Sequence, residues 1–86
     1  MFKLVFTKNA AKYYGKIDDK GKRLLNQCFD HLRENPLAGA SAKRLHGELE
    51  GLYRYRVGGL RVIYKVEVEK IVVLVVAIGS RGDIYK

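Results

Sequence analysis

The chain is 86 residues long, 48% of them hydrophobic and 30% charged, which is the balance of a folded globular protein and excludes a disordered chain. A second independent core does not fit into this length, so we expect one domain over residues 1–86. Seventeen Lys and Arg residues against nine Asp and Glu residues give a net charge of +8. Such a surface attracts polyanions, namely nucleic acid, an anionic membrane surface or an acidic protein. The alternative is a basic surface that is simply solvated, and the placement of the charges has to decide between the two.

Cysteine and histidine usage limits the chemistry. One cysteine excludes an intramolecular disulfide framework, and together with two separated histidines it excludes the usual zinc-ligand spacings, so we predict no metal and no other cofactor. The apolar run at the N-terminus is too short for a signal peptide. The longest apolar run, residues 71–78, is far short of the roughly 20 residues that span a bilayer. We therefore expect a cytoplasmic protein with no part in the membrane.

The first segment predicts a strand followed by a short helix. Phe2, Leu4 and Phe6 recur at every second position, which is the period of a strand with one face on a core. Thr7 stands where a helix N-cap would, and the pattern that follows ends near Gly15. Four apolar residues with helical spacing mark the buried side of this helix: Ala10, Tyr13, Tyr14 and Ile17.

A second helix follows directly. Asp18 and Asp19 lie where carboxylates favour a helix N-terminus, and Asn35-Pro36 ends the helical pattern. One apolar stripe runs along the helix between them: Leu24, Leu25, Cys28, Phe29 and Leu32. We expect the two helices to form a hairpin, with the cysteine as a small core residue.

Three strands complete the predicted fold. Residues 36–51 are expected to form an irregular connection, in which 41–45 form at most one turn of helix. Strands are predicted at 52–57, 60–66 and 71–79, and Gly58-Gly59 between two β-rich runs is the signal of a two-residue hairpin loop. The order β-α-α-β-β-β predicts an α+β domain, in which the helical hairpin packs on one face of a four-stranded, mainly antiparallel sheet.

The predicted hairpin brings arginines together. If the two glycines are the whole loop, Arg56 lies opposite Arg61, and Arg54 lies two residues along on the same face. Like charges on opposed positions destabilise a strand pair by roughly a few tenths of a kcal/mol or more, so folding alone gives no reason to choose them. Residues 51–66 hold four basic side chains, Lys65 being the fourth, and no acidic one. We therefore predict a face that binds phosphates through these side chains.

The alternative is a set of ordinary surface arginines that pair with loop carboxylates, namely Glu48, Glu50 or Asp83. The other face of the hairpin is apolar and aromatic, and we expect it to lie under the helices. It consists of Tyr53, Tyr55, Val57, Leu60, Val62, Tyr64 and Val66.

The last strand is apolar on both faces over residues 71–78, which places it inside the sheet. We expect its even-numbered members to face the helices: Val72, Leu74, Val76 and Ile78. Arg81 then joins the arginine face, and Ala77 and Gly79 leave room for a ligand beside it. Tyr85 is either a tail residue or a side chain that reaches the basic face, where it stacks on a base or contacts a phosphate.

With these residues in place, the sequence resembles the RelE-type toxins of the RelE/ParE superfamily of toxin-antitoxin systems. Four stretches carry the resemblance: residues 45–47, 51–58, 60–64 and 78–85. The pattern Tyr-Arg-x-Arg-Val-Gly-x-x-Arg-x-x-Tyr, which begins at Tyr53, is specific to the superfamily. Arg81 and Tyr85 point to the RelE branch.

The resemblance implies a ribosome-dependent endoribonuclease that enters the A site, against 16S rRNA, and cuts mRNA by attack of the neighbouring 2′-OH without a metal. It also implies a cognate RelB-like antitoxin in a hetero-oligomeric complex. On the matching positions, Arg54 and Arg56 bind phosphates, Arg61 stabilises the transition state and Arg81 lies at the leaving oxygen. Tyr85 is the candidate base or stacking residue.

One departure from the family pattern concerns the base. The two positions before the hairpin turn are commonly Lys in RelE proteins and are Arg54 and Arg56 here. A lysine can lose its proton when it is buried among cations, whereas an arginine effectively cannot. Tyr85 is then the remaining candidate base, unless catalysis rests on positioning and charge stabilisation.

Two other functions stay open at this point: a ParE-like inhibitor of DNA gyrase, and a ribosome- or RNA-binding module without catalysis. The histidines are expected to be structural. His31 lies beside the apolar stripe and is predicted at the helix surface or boundary. His46 is predicted in a loop, although that loop contributes an acid or base in some branches of the superfamily.

Overall fold

The computed structural model describes residues 1–37 and 42–80. The elements, in chain order, are β1 Lys3–Phe6, α1 Lys8–Lys16, α2 Asp19–Glu34, β2 Ala42–Arg44, a short 3-10 helix Gly47–Leu49, β3 Tyr53–Val57, β4 Leu60–Glu67 and β5 Val72–Ser80. The predicted α+β fold with a helical hairpin on a sheet is confirmed. No helix in these two ranges is long and apolar enough to cross a membrane.

Both helices begin at the caps that the sequence predicts. The Thr7 hydroxyl accepts a hydrogen bond from the Ala10 N–H and donates one to the carbonyl of Val76, at 3.2 and 2.6 Å. The Asp18 carboxylate accepts from the Gly21 N–H at 2.8 Å. These bonds satisfy N–H groups that the first turn of a helix leaves without partners. The Thr7 cap also ties the start of α1 to β5.

The sheet has five strands in the order β1-β5-β4-β3-β2. β1 is parallel to β5 and the other neighbours are antiparallel, so the predicted mainly antiparallel sheet and the internal position of β5 are confirmed. The prediction of four strands was wrong. Where at most a turn of helix was expected, residues 42–44 form strand β2, in which Ala42 pairs with Tyr55 and Arg44 with Tyr53. The outer edge of β3 offers backbone partners that outweigh the local preference of Ala-Lys-Arg for helix.

The core lies between the two helices and one face of the sheet. Leu25, Cys28 and Leu32 of α2 are fully buried against Val62 and Tyr64 of β4. The remaining members of the predicted apolar face of the hairpin pack around them, as expected. The opposite face of the sheet, which the helices leave uncovered, is called the open face below.

The predicted orientation of β5 was wrong in its first half. Val73 and Val75, not their even-numbered neighbours, are fully buried against the helices. The register against β4 shifts between Ile63, which pairs with Ala77, and Tyr64, which pairs with Val75. This bulge changes the phase of the alternation by one residue, so that Val72, Leu74 and Val76 are only partly buried while Ile78 faces the core as predicted.

Candidate functional site

The β3–β4 hairpin has the register that its two glycines predict. Val57 pairs with Leu60, and Arg56 pairs with Arg61. The backbone φ is +58° at Gly58 and is not positive at Gly59, which is the pattern of a type II′ turn. Such a turn matches the twist of the two strands, and it fixes the opposed arginines one residue from the loop.

The turn is also supported from below. A Cβ atom at Gly58 would lie 2.9 Å from Cδ1 of Leu24, because that side chain of α2 packs directly against the turn. Since α2 is anchored in the core, the contact with Leu24 supports the turn of the hairpin. The arginines next to the turn therefore project from a rigid scaffold.

Arginines occupy two adjacent rows of the open face. In one row Arg56 of β3 lies opposite Arg61 of β4, and Gly79 of β5 follows. In the next row Arg54 lies opposite Ile63, and Ala77 follows. Directly opposed residues have Cβ atoms about 4.5–5.5 Å apart and share a face of the sheet. Three arginines therefore converge beside two small residues on β5, as the hairpin register predicts.

Strand β2 adds a basic residue that the sequence did not reveal. Lys43 pairs with Arg54, so it extends the second row toward the edge of the sheet, and its side chain is exposed. Sequence reasoning missed this residue because a three-residue strand is too short to show alternation. The sequence offered one indirect indication: β3 was predicted with a partner on one side only, so its other edge could accept a strand from the segment after α2.

The ion pairs among residues 1–37 and 42–80 do not include Arg54 or Arg56. They join Arg33 to Asp30, Lys65 to Glu67 and Lys70 to Glu67. The alternative that Arg54 or Arg56 pairs with Glu48 or Glu50 therefore does not hold in this part of the chain. Asp83, the third carboxylate of that alternative, lies outside the described residues.

Lys65 differs from the arginines. It lies on the open face two residues beyond Ile63, paired with Leu74, and its ammonium is 3.9 Å from a carboxylate oxygen of Glu67. The sequence predicted Lys65 beside the arginines without a counter-ion. Glu67, the last residue of β4, supplies that counter-ion, so the positive charge of Lys65 is partly balanced.

Arg54 has an unsatisfied donor. Its Nε atom is buried and has no hydrogen-bond partner among the described residues, although the side chain as a whole is only half-buried. Buried donors are normally paired, because an unpaired one costs about 1–3 kcal/mol. An anion that reaches the guanidinium from the open face would supply the acceptor. Arg56 is exposed and Arg61 is half-buried.

The open face is not purely polar. Ile63 lies between Arg54 and Ala77, yet it is only 4% exposed. The next row holds Leu74 and Val5, the latter 39% exposed. An apolar floor next to guanidiniums suits a nucleotide, whose base is a flat apolar surface and whose phosphate is an anion.

The aromatic side chains under the helices are structural. The rings of Tyr53 and Tyr64 stack with their centroids 5.6 Å apart, and His31 packs on Tyr55 at 5.3 Å. The hydroxyl of Tyr64 donates to the carbonyl of Pro36 at 2.7 Å, and burial raises the pKa of Tyr64 well above its ordinary value. Tyr64 therefore stays neutral and serves packing, not proton transfer.

The other candidate groups lie apart from the arginines or outside the described ranges. Burial raises the pKa of the Cys28 thiol to about 12, which makes it inert. His46 is exposed in the connection between β2 and β3. Among the described side chains, no group of three His, Cys, Asp or Glu residues is placed to hold a metal ion. The predicted site residues Arg81 and Tyr85 lie outside the described residues.

Solved structures with a similar fold include toxins named RelE and a toxin named YoeB/ParE. The toxin in the RelBE2 toxin-antitoxin complex of Mycobacterium tuberculosis is 25% identical, with a TM-score of 0.81 over 93% of this chain and 98% of that chain. The archaeal RelE–RelB complex of Pyrococcus horikoshii OT3 gives 25% identity and a TM-score of 0.80 over 95% and 97%. The isolated E. coli RelE toxin is 27% identical, with a TM-score of 0.80 over 99% of this chain and 92% of that chain.

A search among curated proteins finds no match. The profile of a family described as the ParE toxin of the type II toxin-antitoxin system parDE matches residues 4–85. This match spans nearly the whole chain, and the structural similarity covers 93–99% of it. The chain therefore belongs to the ParE toxin family and is a type II toxin of the RelE/ParE superfamily.

Proposed function

We propose that this toxin is a ribosome-dependent endoribonuclease that cuts mRNA in the A site and thereby inhibits translation. The observation that carries the proposal is the opposed pair Arg56 and Arg61 with Arg54 beside it. This arrangement destabilises the hairpin, whereas an RNA phosphate would neutralise it. The 27% identity with E. coli RelE over 99% of this chain supports the same function.

The proposed reaction uses the substrate's own ribose as the nucleophile. The 2′ oxygen forms a bond to phosphorus as the bond from phosphorus to the 5′ oxygen breaks, which leaves a 2′,3′-cyclic phosphate and a 5′-hydroxyl. The 2′ proton must be removed, and the leaving 5′ oxygen must gain one. The enzyme also has to align the nucleotide for in-line attack and stabilise the extra negative charge of the transition state.

The arginines take the electrostatic tasks. Arg54 and Arg56, with Lys65 nearby, bind the phosphates, for which the planar donor fork of arginine is suited. Arg61 stabilises the charge that develops on the phosphoryl oxygens, and Arg81 stabilises the leaving 5′ oxygen. Because an arginine effectively cannot lose its proton, none of these side chains is the base.

Tyr85 is the proposed partner of the 2′-OH, as base or as a ring that stacks on the nucleotide. Positioning and charge stabilisation contribute most of the rate enhancement if Tyr85 only stacks. The reaction written in this way needs neither a metal ion nor a cofactor.

Two partners follow from the proposed function. The similar toxins of Mycobacterium tuberculosis and Pyrococcus horikoshii were solved as complexes with their antitoxins. We infer that a cognate RelB-like antitoxin holds this chain in a hetero-oligomeric complex. When released, the toxin acts on cytoplasmic ribosomes, where it meets 16S rRNA and mRNA.

The test is primer extension on mRNA bound to 70S ribosomes, with the Arg61→Ala variant. Loss of one donor that acts in the transition state lowers rates by about 10²–10³, so we expect cleavage to slow by at least ~100-fold. Lys70→Ala is the matched control, because it removes one positive charge at the far turn, next to Glu67. This control should cleave within about threefold of the unmodified toxin.

Melting temperatures separate chemistry from folding in this test. Arg61→Lys keeps the charge but loses the planar fork, and we expect an intermediate rate. If Arg61→Ala folded and cleaved codons as fast as the unmodified toxin, the proposed role of the residue would be wrong.

A second candidate function is inhibition of DNA gyrase without nuclease chemistry, which the ParE description of the matching family favours. A supercoiling assay with purified toxin distinguishes the two: blocked gyrase with intact mRNA rejects the nuclease. Salt-sensitive binding to ribosomes with no cut codon would instead identify a non-catalytic RNA-binding module.

A further inference from the structure

Helix α1 carries a second basic surface, separate from the arginines. Lys8, Lys12 and Lys16 lie four residues apart, so they line up along one side of α1, and all three are exposed. Residues 1–17 contain no acidic residue at all. Within the described part of the chain, none of the three lysines takes part in an ion pair. We call this set the α1 lysine row.

The α1 lysine row borders a groove of about 330 Å³ between α1 and the end of β5. The groove is lined by Asn9, Lys12, Tyr13, Lys16, Ala77 and Ile78. It exists because β1 ends at Phe6, opposite Val75, so the described residues pair no strand with β5 beyond that point on this side. The Thr7 hydroxyl donates to the Val76 carbonyl and so holds the start of α1 against β5 next to Ala77.

The groove begins where the arginine rows end. Ala77, which lines the groove, is also the last residue in the row of Arg54, and Gly79 is the last in the row of Arg61. The arginine rows on the open face and the α1 lysine row on the helical side therefore both adjoin the end of β5, through Ala77. An RNA-bound toxin would present both surfaces to polyanions at once.

The composition of this surface favours RNA over other anions. The large exposed apolar side chains of the described residues are Met1, Val5, Phe6, Leu37, Val68 and Ile71, and none of them lies on α1. A protein partner needs apolar or aromatic anchors, and lysine is depleted in protein interfaces. A membrane-bound helix needs an exposed apolar face. The apolar residues of the groove, Tyr13, Ala77 and Ile78, are half-buried or buried, so the exposed groups of this surface are mainly the ammonium groups. Such flexible, strongly hydrated groups suit the phosphates of a nucleic-acid backbone.

We propose that the α1 lysine row and its groove bind the phosphate backbone of ribosomal RNA. This inference rests on the proposed ribosome-dependent function. The mRNA occupies the open face in that function, whereas the row lies on the helical side, so the RNA assigned to the row is ribosomal RNA and not the message. The row thus contributes affinity for the ribosome and takes no part in the chemistry.

The test measures binding to mRNA-free 70S ribosomes at several KCl concentrations, with the double variant Lys12→Gln, Lys16→Gln. Two lost phosphate contacts should weaken binding on the order of tenfold and reduce the slope of log K against log[KCl] by about 1.5. The matched control, Lys20→Gln with Arg23→Gln, removes the same charge from exposed positions of α2. It should change affinity by less than about threefold. Lys12→Arg with Lys16→Arg should retain the affinity.

Several outcomes would overturn the proposal. One is a double variant that binds mRNA-free ribosomes as the control does. Another is a defect that exists only when mRNA is present, which would assign the lysines to the message. A third is weaker binding to polyglutamate with normal binding to ribosomes, which would indicate an acidic protein segment as the partner.

This experiment separates the two proposals. Because it uses ribosomes without mRNA, it requires no cleavage. If the unmodified toxin binds ribosomes but cuts no mRNA, the proposed nuclease function fails. The binding measurements with the lysine variants still test whether the α1 lysine row binds ribosomal RNA. If the toxin cuts normally and the double variant binds normally, only the lysine proposal fails. If the unmodified toxin does not bind ribosomes, both fail.

Discussion

The opposed pair Arg56 and Arg61 is unfavourable for the stability of the hairpin but favourable for binding an anion. Directly opposed like charges disfavour the pairing of the two strands. On the other face of the same strands, Tyr53 stacks on Tyr64, and such a pair contributes about 0.5–1.5 kcal/mol. The aromatic face can therefore offset the repulsion on the open face. This local conflict between charge and fold is what a binding site is expected to show.

At the residue scale, Cys28 gives a pH-dependent prediction. Burial raises the pKa of its thiol from 9.0 to about 12. Between these values the unfolded chain has lost the thiol proton while the folded chain keeps it, so the unfolded state binds fewer protons. The stabilisation is complete below pH 9 and is lost as the pH rises toward 12, by up to about 1.4 kcal/mol per pH unit.

Urea unfolding at pH 8, 9 and 10 measures this effect. Cys28→Ala lowers stability at every pH because it leaves a small cavity in the core. Its free energy of unfolding should nevertheless fall less steeply between pH 9 and 10 than that of the unmodified chain. Parallel curves for the two proteins would show that the thiol does not titrate in this way.

At the element scale, the β3–β4 turn depends on one of its two glycines. Gly58 has a φ of +58°, and a Cβ there would approach Leu24 to 2.9 Å, so Gly58→Ala meets both backbone strain and a contact with α2. We expect a loss of about 1–3 kcal/mol in the free energy of unfolding. Gly59 is the matched control, because its φ is not positive and nothing lies within 4 Å of its added Cβ.

Gly59→Ala should change stability by less than about 0.5 kcal/mol, and urea unfolding of the two variants measures the contrast. Equal losses would contradict the assignment of the strained position. A selective effect at Gly58 would show that the turn beside the arginine pair requires a glycine at this position.

The elements also show what the sequence can predict and what it cannot. The pairing of Arg56 with Arg61 follows from a local rule, because a two-residue loop fixes the register of its strands. Which side chains of β5 face the helices does not follow from a local rule. Residues 72–78 are apolar on both faces, so no alternation in the sequence reveals the bulge opposite Ile63 and Tyr64. Lys43 was missed because β2 exists only through its pairing with β3.

At the scale of the whole molecule, the net charge of +8 sets the behaviour of the chain. The three ion pairs within residues 1–37 and 42–80 are largely exposed, with Asp30 79% exposed, and such pairs contribute little to stability. Repulsion among the lysines and arginines therefore outweighs them, and a compact state with a large net charge is destabilised by its own charge.

Salt should relieve this repulsion. Raising KCl from 20 to 300 mM shortens the screening length from roughly 20 to 6 Å, so we expect the melting temperature to rise by on the order of a few degrees. The variant Lys12→Gln, Lys16→Gln has two fewer positive charges, and its melting temperature should rise less over the same range. Thermal melts followed by circular dichroism measure both. A melting temperature that falls with KCl would show that attractive ion pairs dominate instead. It would contradict the net repulsion among positive charges that a bound polyanion is expected to relieve.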